Sequence, residues 1–399
     1  MRFDQAYNVR RSAPLARPAL LSIQNVKRLD VTPITTLFRC RQLRIFLAAL
    51  SAAFCLTGYA EPLRIVVAGD GRAEYPWRTA QPRLCDQDGI NVTVAKAIGQ
   101  AVANEHAAIL LWTGDIALIS DREDHTLENR LENWRTMMKQ SCGDDVKIWP
   151  VRGNHEVYCY PDKTNYDGEL IPDSAAVWRK VFPDLPQNDP KSDDGLSFYS
   201  IEGSTLIIGL DEYSGANADP LQRKHLVNQT WLDQVLTQNR KPFTFVYGHE
   251  AAFMAGRHTD DETLAANAAA RNSFLQSLLN AKALYFCGHD HFYDRMSVVR
   301  MSSPGGPKFV QITAGTAGAP FYSAGPYAGS GLWKLERVAH FDNVYGYTLI
   351  EVDGDKSATV TFKGVPPSLM DKTGPTTFAA MDQIVCDASG CKSLTCDTR

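Results

Sequence analysis

One local pattern constrains this chain more than any other. Five times, a short apolar run rich in strand-forming residues ends near a glycine followed directly by a potential metal ligand. The runs are Leu63–Ala68, Ala107–Trp112, Val146–Val151, Phe243–Tyr247 and Leu284–Cys287. They lead to Gly69-Asp70, Gly114-Asp115, Gly153-Asn154-His155-Glu156, Gly248-His249-Glu250 and Gly288-His289-Asp290-His291. In α/β folds ligands gather beyond the carboxyl ends of strands, and glycine lets the chain turn sharply there. A single Gly-Asp after a strand is commonly a turn, and a single histidine is commonly a satisfied polar residue. Five such blocks in order are not explained by turns alone.

Helical spacing fills the gaps. Val92–Val102 reads as a helix, as does Leu127–Lys139, where Leu127, Leu131, Trp134, Met137 and Met138 share a face. Further helices are expected around Trp231–Leu236 and Asn272–Leu279. Leu196–Ile201 and Thr205–Leu210 read as strands, and Phe309–Thr313 leads into the glycine-rich loop Ala314–Ala319. Tyr345–Val352 and Ala358–Lys363 read as a closing hairpin around Asp353-Gly354-Asp355. Alternating βα units predict an α/β fold with strands between helices. Without an internal repeat or long linker, residues 61–370 read as one domain, followed by a cysteine-containing tail, 371–399.

The formal charge of −4 over 399 residues conceals a break. Residues 1–60 hold nine Lys/Arg against two acids, leaving 32 basic and 43 acidic residues, a net −11, in 61–399. That balance argues against a nucleic-acid or membrane-surface binder. Arg39, Arg41 and Arg44 precede the uncharged run Ile45–Thr57, too short for a span that needs roughly twenty residues. Gly58-Tyr59-Ala60 then places small residues as at a secretory cleavage site, predicting cleavage after Ala60, export to the periplasm or medium and no transmembrane anchor in the mature chain. The long prefix 1–36 leaves three other readings open: a start nearer Val31 or Leu37, an organelle transit peptide, or an ordered extension. Export permits disulfides. Cys287, in an apolar run, reads as a buried thiol. Cys85, Cys142, Cys159, Cys386, Cys391 and Cys396 allow three bridges in fifteen connectivities, with a disulfide-tied tail preferred to a metal knuckle.

Taken together, the five blocks resemble the calcineurin-like metallophosphoesterases over roughly residues 63–365, most closely an exported bacterial group whose first block reads Gly-Asp-x-Arg. The resemblance implies a four-layer αββα sandwich of two mixed sheets. It also implies two transition metals, Mn, Fe or Zn, bridged by Asp115. Asp70 and His291 would complete the first metal position, and Asn154, His249 and His289 the second. Carboxylate, amide and imidazole donors suit those ions. Paired ions lower the pKa of a bridging water and clamp phosphoryl oxygens. His155 would act as general acid or phosphate donor, a role worth about 10²–10⁴ in rate.

Two departures stand out. Arg72 replaces a metal-binding histidine common in the family; it would hold phosphate, or else pair with a neighbouring carboxylate. Leu118 stands where relatives carry a metal-binding Tyr or an Asp that supports the catalytic histidine. The first position thus has fewer protein ligands than usual and is expected to be weak or empty. The implied function is hydrolysis of small-molecule phosphate monoesters by metal-activated water. A phosphodiesterase or nucleotidase, and a catalytically weakened ligand-binding member, remain alternatives. Glu250 and Asp290 read either as orienters of neighbouring histidines or as solvated acids. Asp211 and Tyr213 read as pocket lining or as packing residues. Pro320-Phe321-Tyr322 reads as a substrate-side wall, as the family position implies. His106, His125, His225, His258 and His340 have no ligand context.

Overall fold

The computed structural model describes residues 61–75, 86–120, 124–161, 168–189, 196–213, 225–258, 263–325, 331–370 and 375–394. The expectations for residues 1–60, Cys85 and Cys396 lie outside these. The chain first lays down three parallel strands, β1 (Leu63–Ala68), β2 (Ile109–Trp112) and β3 (Lys147–Pro150). Helices α1 (Val92–Asn104) and α2 (Asp124–Cys142) connect them. Asn91 starts α1 by accepting the Val94 N–H. Leu131, Trp134 and Met138 of α2 are fully buried, a face worth roughly 1.5–3 kcal/mol per side chain. Two short helices follow, α3 (Asn154–Val157) and α4 (Ser174–Val181).

A whole second sheet is then built before the chain returns. It contains β4 (Phe198–Glu202), β5 (Thr205–Gly209), β6 (Phe243–Tyr247), β7 (Leu284–Cys287), β8 (Tyr293–Arg300), β9 (Phe309–Ala314) and β10 (Trp333–Phe341). Their order is β10-β8-β9-β7-β6-β5-β4, and α5 (Gln229–Gln238) and α6 (Ala268–Ala281) make crossovers between its parallel strands. Strands β11 (Tyr345–Asp353), β12 (Ser357–Val365), β13 (Ala379–Asp387) and β14 (Gly390–Ser393) complete the first sheet, ordered β14-β13-β12-β11-β1-β2-β3. Both sheets mix parallel and antiparallel pairs.

Strand alternation decides which side chain joins which core. Ile207, Phe245, Phe286 and Ile312 point into the core shared with the first sheet. Their neighbours Leu206, Ile208, Val246 and Tyr285 pack with Leu232, Phe274 and Leu275 of the outer helices. Burial on both faces explains why these strands read as continuous apolar runs. By contrast, β8 and β10 escape a sequence reading because charged residues interrupt them. Buried Asp294 accepts from Arg337 Nε (2.9 Å) and contacts His340 Nδ1 (3.0 Å), so paired charges occupy strand positions.

Residues 379–393 of the tail form sheet rather than a separate element. β13 pairs along β12, and Cys386 and Cys391 are joined by a disulfide across the β13–β14 hairpin. Cys287 is a buried thiol, as expected. Cys142 corrects the three-bridge expectation: it is a buried thiol on α2, donating to the Met138 carbonyl.

Candidate metal centre

The carboxyl ends of β1, β2, β3, β6 and β7 bring the five blocks together. Asp70, Asp115 and His289 adopt left-handed backbone conformations, with φ of 61°, 52° and 70°. Such conformations cost of order 1–3 kcal/mol and persist where surrounding structure holds them. Here the loops hold one another. The Asp70 N–H donates to Gly114 O (3.1 Å), and the His289 N–H to the Asp70 carboxylate (3.1 Å). Gly114, at φ 87°, is required twice over: a Cβ there would lie 2.7 Å from both Gly153 N and His249 Nδ1.

Two ligand groups share one carboxylate. Asp115, His249 and His289 form one; Asp70, Asp115 and His291 form the other, with ligand atoms within 4.8 Å of one another in each. Asn154 Oδ1 lies 3.0 Å from His249 Nε2 and so joins the first group. The six candidate ligands Asp70, Asp115, Asn154, His249, His289 and His291 thus lie together in two groups that meet at Asp115.

A cation between these groups needs donor atoms that carry no proton. His249 Nδ1 faces the Thr113 carbonyl (2.7 Å) and so carries a proton, which in the neutral tautomer leaves the lone pair on Nε2. That lone pair faces two further ligand atoms, Asn154 Oδ1 and His289 Nδ1, both at 3.0 Å. Likewise, His291 Nδ1 donates to Pro320 O (2.6 Å), leaving Nε2 turned toward Asp70 Oδ1 at 3.7 Å. Burial above all holds His289 and His291 well below the usual imidazole range, favouring their neutral forms. Asn154 Oδ1 and His249 Nε2, two acceptors facing each other in a buried site, fit a cation between them.

Arg72 is buried beside the second group. Its Nε lies 3.7 Å from Asp115 Oδ2, Nη1 donates to Ala73 O (3.0 Å) and Nη2 to Tyr322 Oη (3.3 Å). Its guanidinium also lies 5.0 Å from the Tyr75 ring centroid. Burial opposes its charge, but Tyr75, Tyr322 and Asp115 outweigh burial and push its pKa up. His155 Nε2 is 3.7 Å from Asp115 Oδ2 and 3.4 Å from Tyr75 Oη. Its Nδ1 has no hydrogen-bond partner among the described residues, and Leu118 is buried. Burial holds the His155 ring well below its ordinary pKa.

Several contributors escaped the sequence reading. Glu156 binds four backbone N–H groups, those of Asp115 (3.0 Å), Ile116 (2.9 Å), Ala117 (3.3 Å) and Gly153 (2.8 Å). It thereby ties the Asp115 loop to the Asn154 loop, and its place three residues after Gly153 was the available signal. Glu212 accepts from the N–H groups of His249 (2.8 Å) and Glu250 (2.9 Å) and from Tyr285 Oη (2.9 Å); no local signal marks it. Tyr160 Oη accepts from Asn154 Nδ2 (2.8 Å), turning Oδ1 toward the ligands. His258, read as lacking ligand context, stacks on His289 with ring centroids 3.7 Å apart, and its Nδ1 contacts Asp290 Oδ1 (2.9 Å).

The remaining open readings resolve. Glu250 and Asp290 are buried rather than solvated; Glu250 contacts His225 Nδ1. Asp211 takes a bidentate bond from buried Arg152 (2.7 and 3.0 Å), so it braces the β3 loop from below. Tyr213 is half-buried, with ring centroids 6.4 Å from His249. Tyr322 stacks on His291, centroids 3.9 Å apart, in the expected wall.

Comparison with known proteins shows the family. The family model for calcineurin-like phosphoesterase matches residues 63–293, and the chain belongs to that family. Its fold is similar to a purple acid phosphatase, PPD1, from yellow lupin (Lupinus luteus) seeds: TM-score 0.53, 12% identity, 85% of this chain and 58% of that one. It is also similar to PhoD: TM-score 0.55, 12% identity, 86% of this chain and 73% of that one. The chain thus spans under two thirds of the lupin enzyme's length. No curated protein sequence matches it. No helix among the described residues is long and apolar enough to cross a membrane.

Proposed function

We propose that this protein is a metal-dependent phosphoester hydrolase acting on small-molecule phosphate esters, with monoesters preferred. The observation that carries the reading is the shared Asp115 carboxylate between two buried ligand groups. Asp70, Asp115 and His291 would hold one ion, and Asp115, Asn154, His249 and His289 the other. Mn, Fe or Zn suits the donors, the Asp70 position having fewer ligands and binding more weakly. When bound, paired ions supply Lewis acidity and water activation.

The chain's own residues position the ester. Arg72 is fixed from four sides and keeps N–H groups to spare, so it can hold a phosphate oxygen without swinging. A second positive centre there favours the dianion of a monoester over a diester. His155, kept neutral by burial, donates a hydrogen bond to the phosphoryl group or its leaving oxygen. His155 Nδ1, without a hydrogen-bond partner among the described residues, favours one second reading, a catalytically weakened member that binds ligand in the same cleft. Export to periplasm or medium is part of the proposal, supported by the Cys386–Cys391 disulfide and the apolar run before Ala60.

Metal-loaded protein assayed on p-nitrophenyl phosphate and its bis ester is the test. Monoester turnover exceeding diester turnover is expected. The reverse ratio would favour the diesterase or nucleotidase alternative. Failure on both with Mn, Fe, Zn and Co would overturn the hydrolase reading.

A further inference from the structure

Arg257, over the ring of Tyr322, carries a charge that the proposed chemistry leaves unused. It is exposed, its guanidinium lies 5.0 Å from the Tyr322 ring centroid, and no carboxylate among the described residues pairs with it. Tyr322 connects this cation to the centre. Its ring stacks on His291, its hydroxyl accepts from Arg72, and His258 packs edge-on against it at 5.5 Å. Two guanidinium groups therefore flank one tyrosine beside a candidate metal ligand.

The mount is rigid although the Arg257 side chain is exposed. Asp290 Oδ1 accepts the N–H groups of Arg257 (3.2 Å) and His258 (3.5 Å), besides contacting His258 Nδ1. Arg337 Nη2 donates to both Ala255 O (3.1 Å) and Gly325 O (3.2 Å), and Gly325 N–H donates to Ala255 O. The loop carrying Arg257 and the loop carrying Tyr322 are thereby locked together. On residues 61–399, with net charge −11, an exposed arginine held over Tyr322 with no acid partner among the described residues suits an anionic group on a ligand.

We propose that Arg257, seated on Tyr322, forms a rim subsite for a second anionic group. The preferred substrates are then phosphate esters whose leaving group carries a carboxylate or another phosphate. This inference rests on the hydrolase reading above, with reaction at the metal centre and the second group held one tyrosine ring away.

Two matched pairs test it in metal-loaded protein: glycerol phosphate against phosphoglycerate, and fructose monophosphate against fructose bisphosphate. The wild type is expected to favour the doubly anionic member of at least one pair by about tenfold in kcat/KM, the equivalent of one good charged contact. The responsive pair identifies the second group as carboxylate or phosphate. Arg257→Gln should bring that ratio close to one, and Arg257→Lys should retain part of it. Wild-type ratios near one, or ratios unchanged by Arg257→Gln, overturn the subsite and leave the hydrolase reading standing. Equilibrium binding of inorganic pyrophosphate separates the two ideas further. If no ester is turned over, the hydrolase reading fails. A pyrophosphate Kd weakened about tenfold by Arg257→Gln then still supports the subsite, and an unchanged Kd overturns it.

Discussion

Replacing Glu156 by glutamine removes one oxygen from a carboxylate that four backbone N–H groups surround. Oε1 takes the Ile116 and Ala117 N–H groups, and Oε2 those of Asp115 and Gly153. A glutamine keeps one acceptor oxygen, so either orientation loses two bonds and sets an NH₂ against two donors. Net bonds to charged acceptors contribute about 1.5–3 kcal/mol each, so the loss is about 3 kcal/mol or more. Burial, then the nearby Asp115 charge, pushes the Glu156 pKa up. All four neighbours are donors, however, and a proton on either oxygen would meet no acceptor, so the ionised form matches this site. Urea unfolding of metal-free Glu156→Gln at neutral pH is the assay, followed by metal titration, because Asp115 and Asn154 both sit on the tied loops. An unfolding free energy within about 1 kcal/mol of wild type would mean that the carboxyl is protonated, and would refute the argument.

Three further outcomes follow from the same contacts. Asp211→Ala should cost about 3–5 kcal/mol in chemical denaturation, because it strands the buried Arg152 guanidinium; a surface-like loss below about 1 kcal/mol would contradict this. Gly114→Ala should lower the melting temperature sharply, since its Cβ would meet Gly153 N and His249 Nδ1 at 2.7 Å in a left-handed conformation; an unchanged melting temperature would show that these loops yield easily. Asp115→Asn should reduce metal content at both positions together, as measured per chain by elemental analysis. Loss at one position alone would show that the carboxylate is not shared.

The recurrent strand–glycine–ligand blocks were legible because each is local. A strand end, a turn residue and a donor lie within a few positions, and the fold rule places such ends together. The apolar runs were legible for a related reason: strands buried on both faces have continuous hydrophobicity. β8, β10, β13 and β14 were not, since their polar residues are satisfied by partners far along the chain. Arg295 pairs with Asp382, and Arg337 with Asp294. Glu212 supports His249 across 37 positions without any shared motif. His258 looked idle because its neighbour His289 lies on another loop.

By itself, then, the sequence determined the α/β class, the order of the strand-end loops and which side chains on them are candidate donors. Only the tertiary structure decided how the candidate donors group around Asp115, which imidazole nitrogens face one another, and which acids brace the backbone of the loops. It also decided that Tyr322 stands between His291 and Arg257. The physical reason is range. Turns and burial patterns act over a few residues, whereas lone-pair direction, desolvation and charge pairing depend on atoms that meet only when two sheets close.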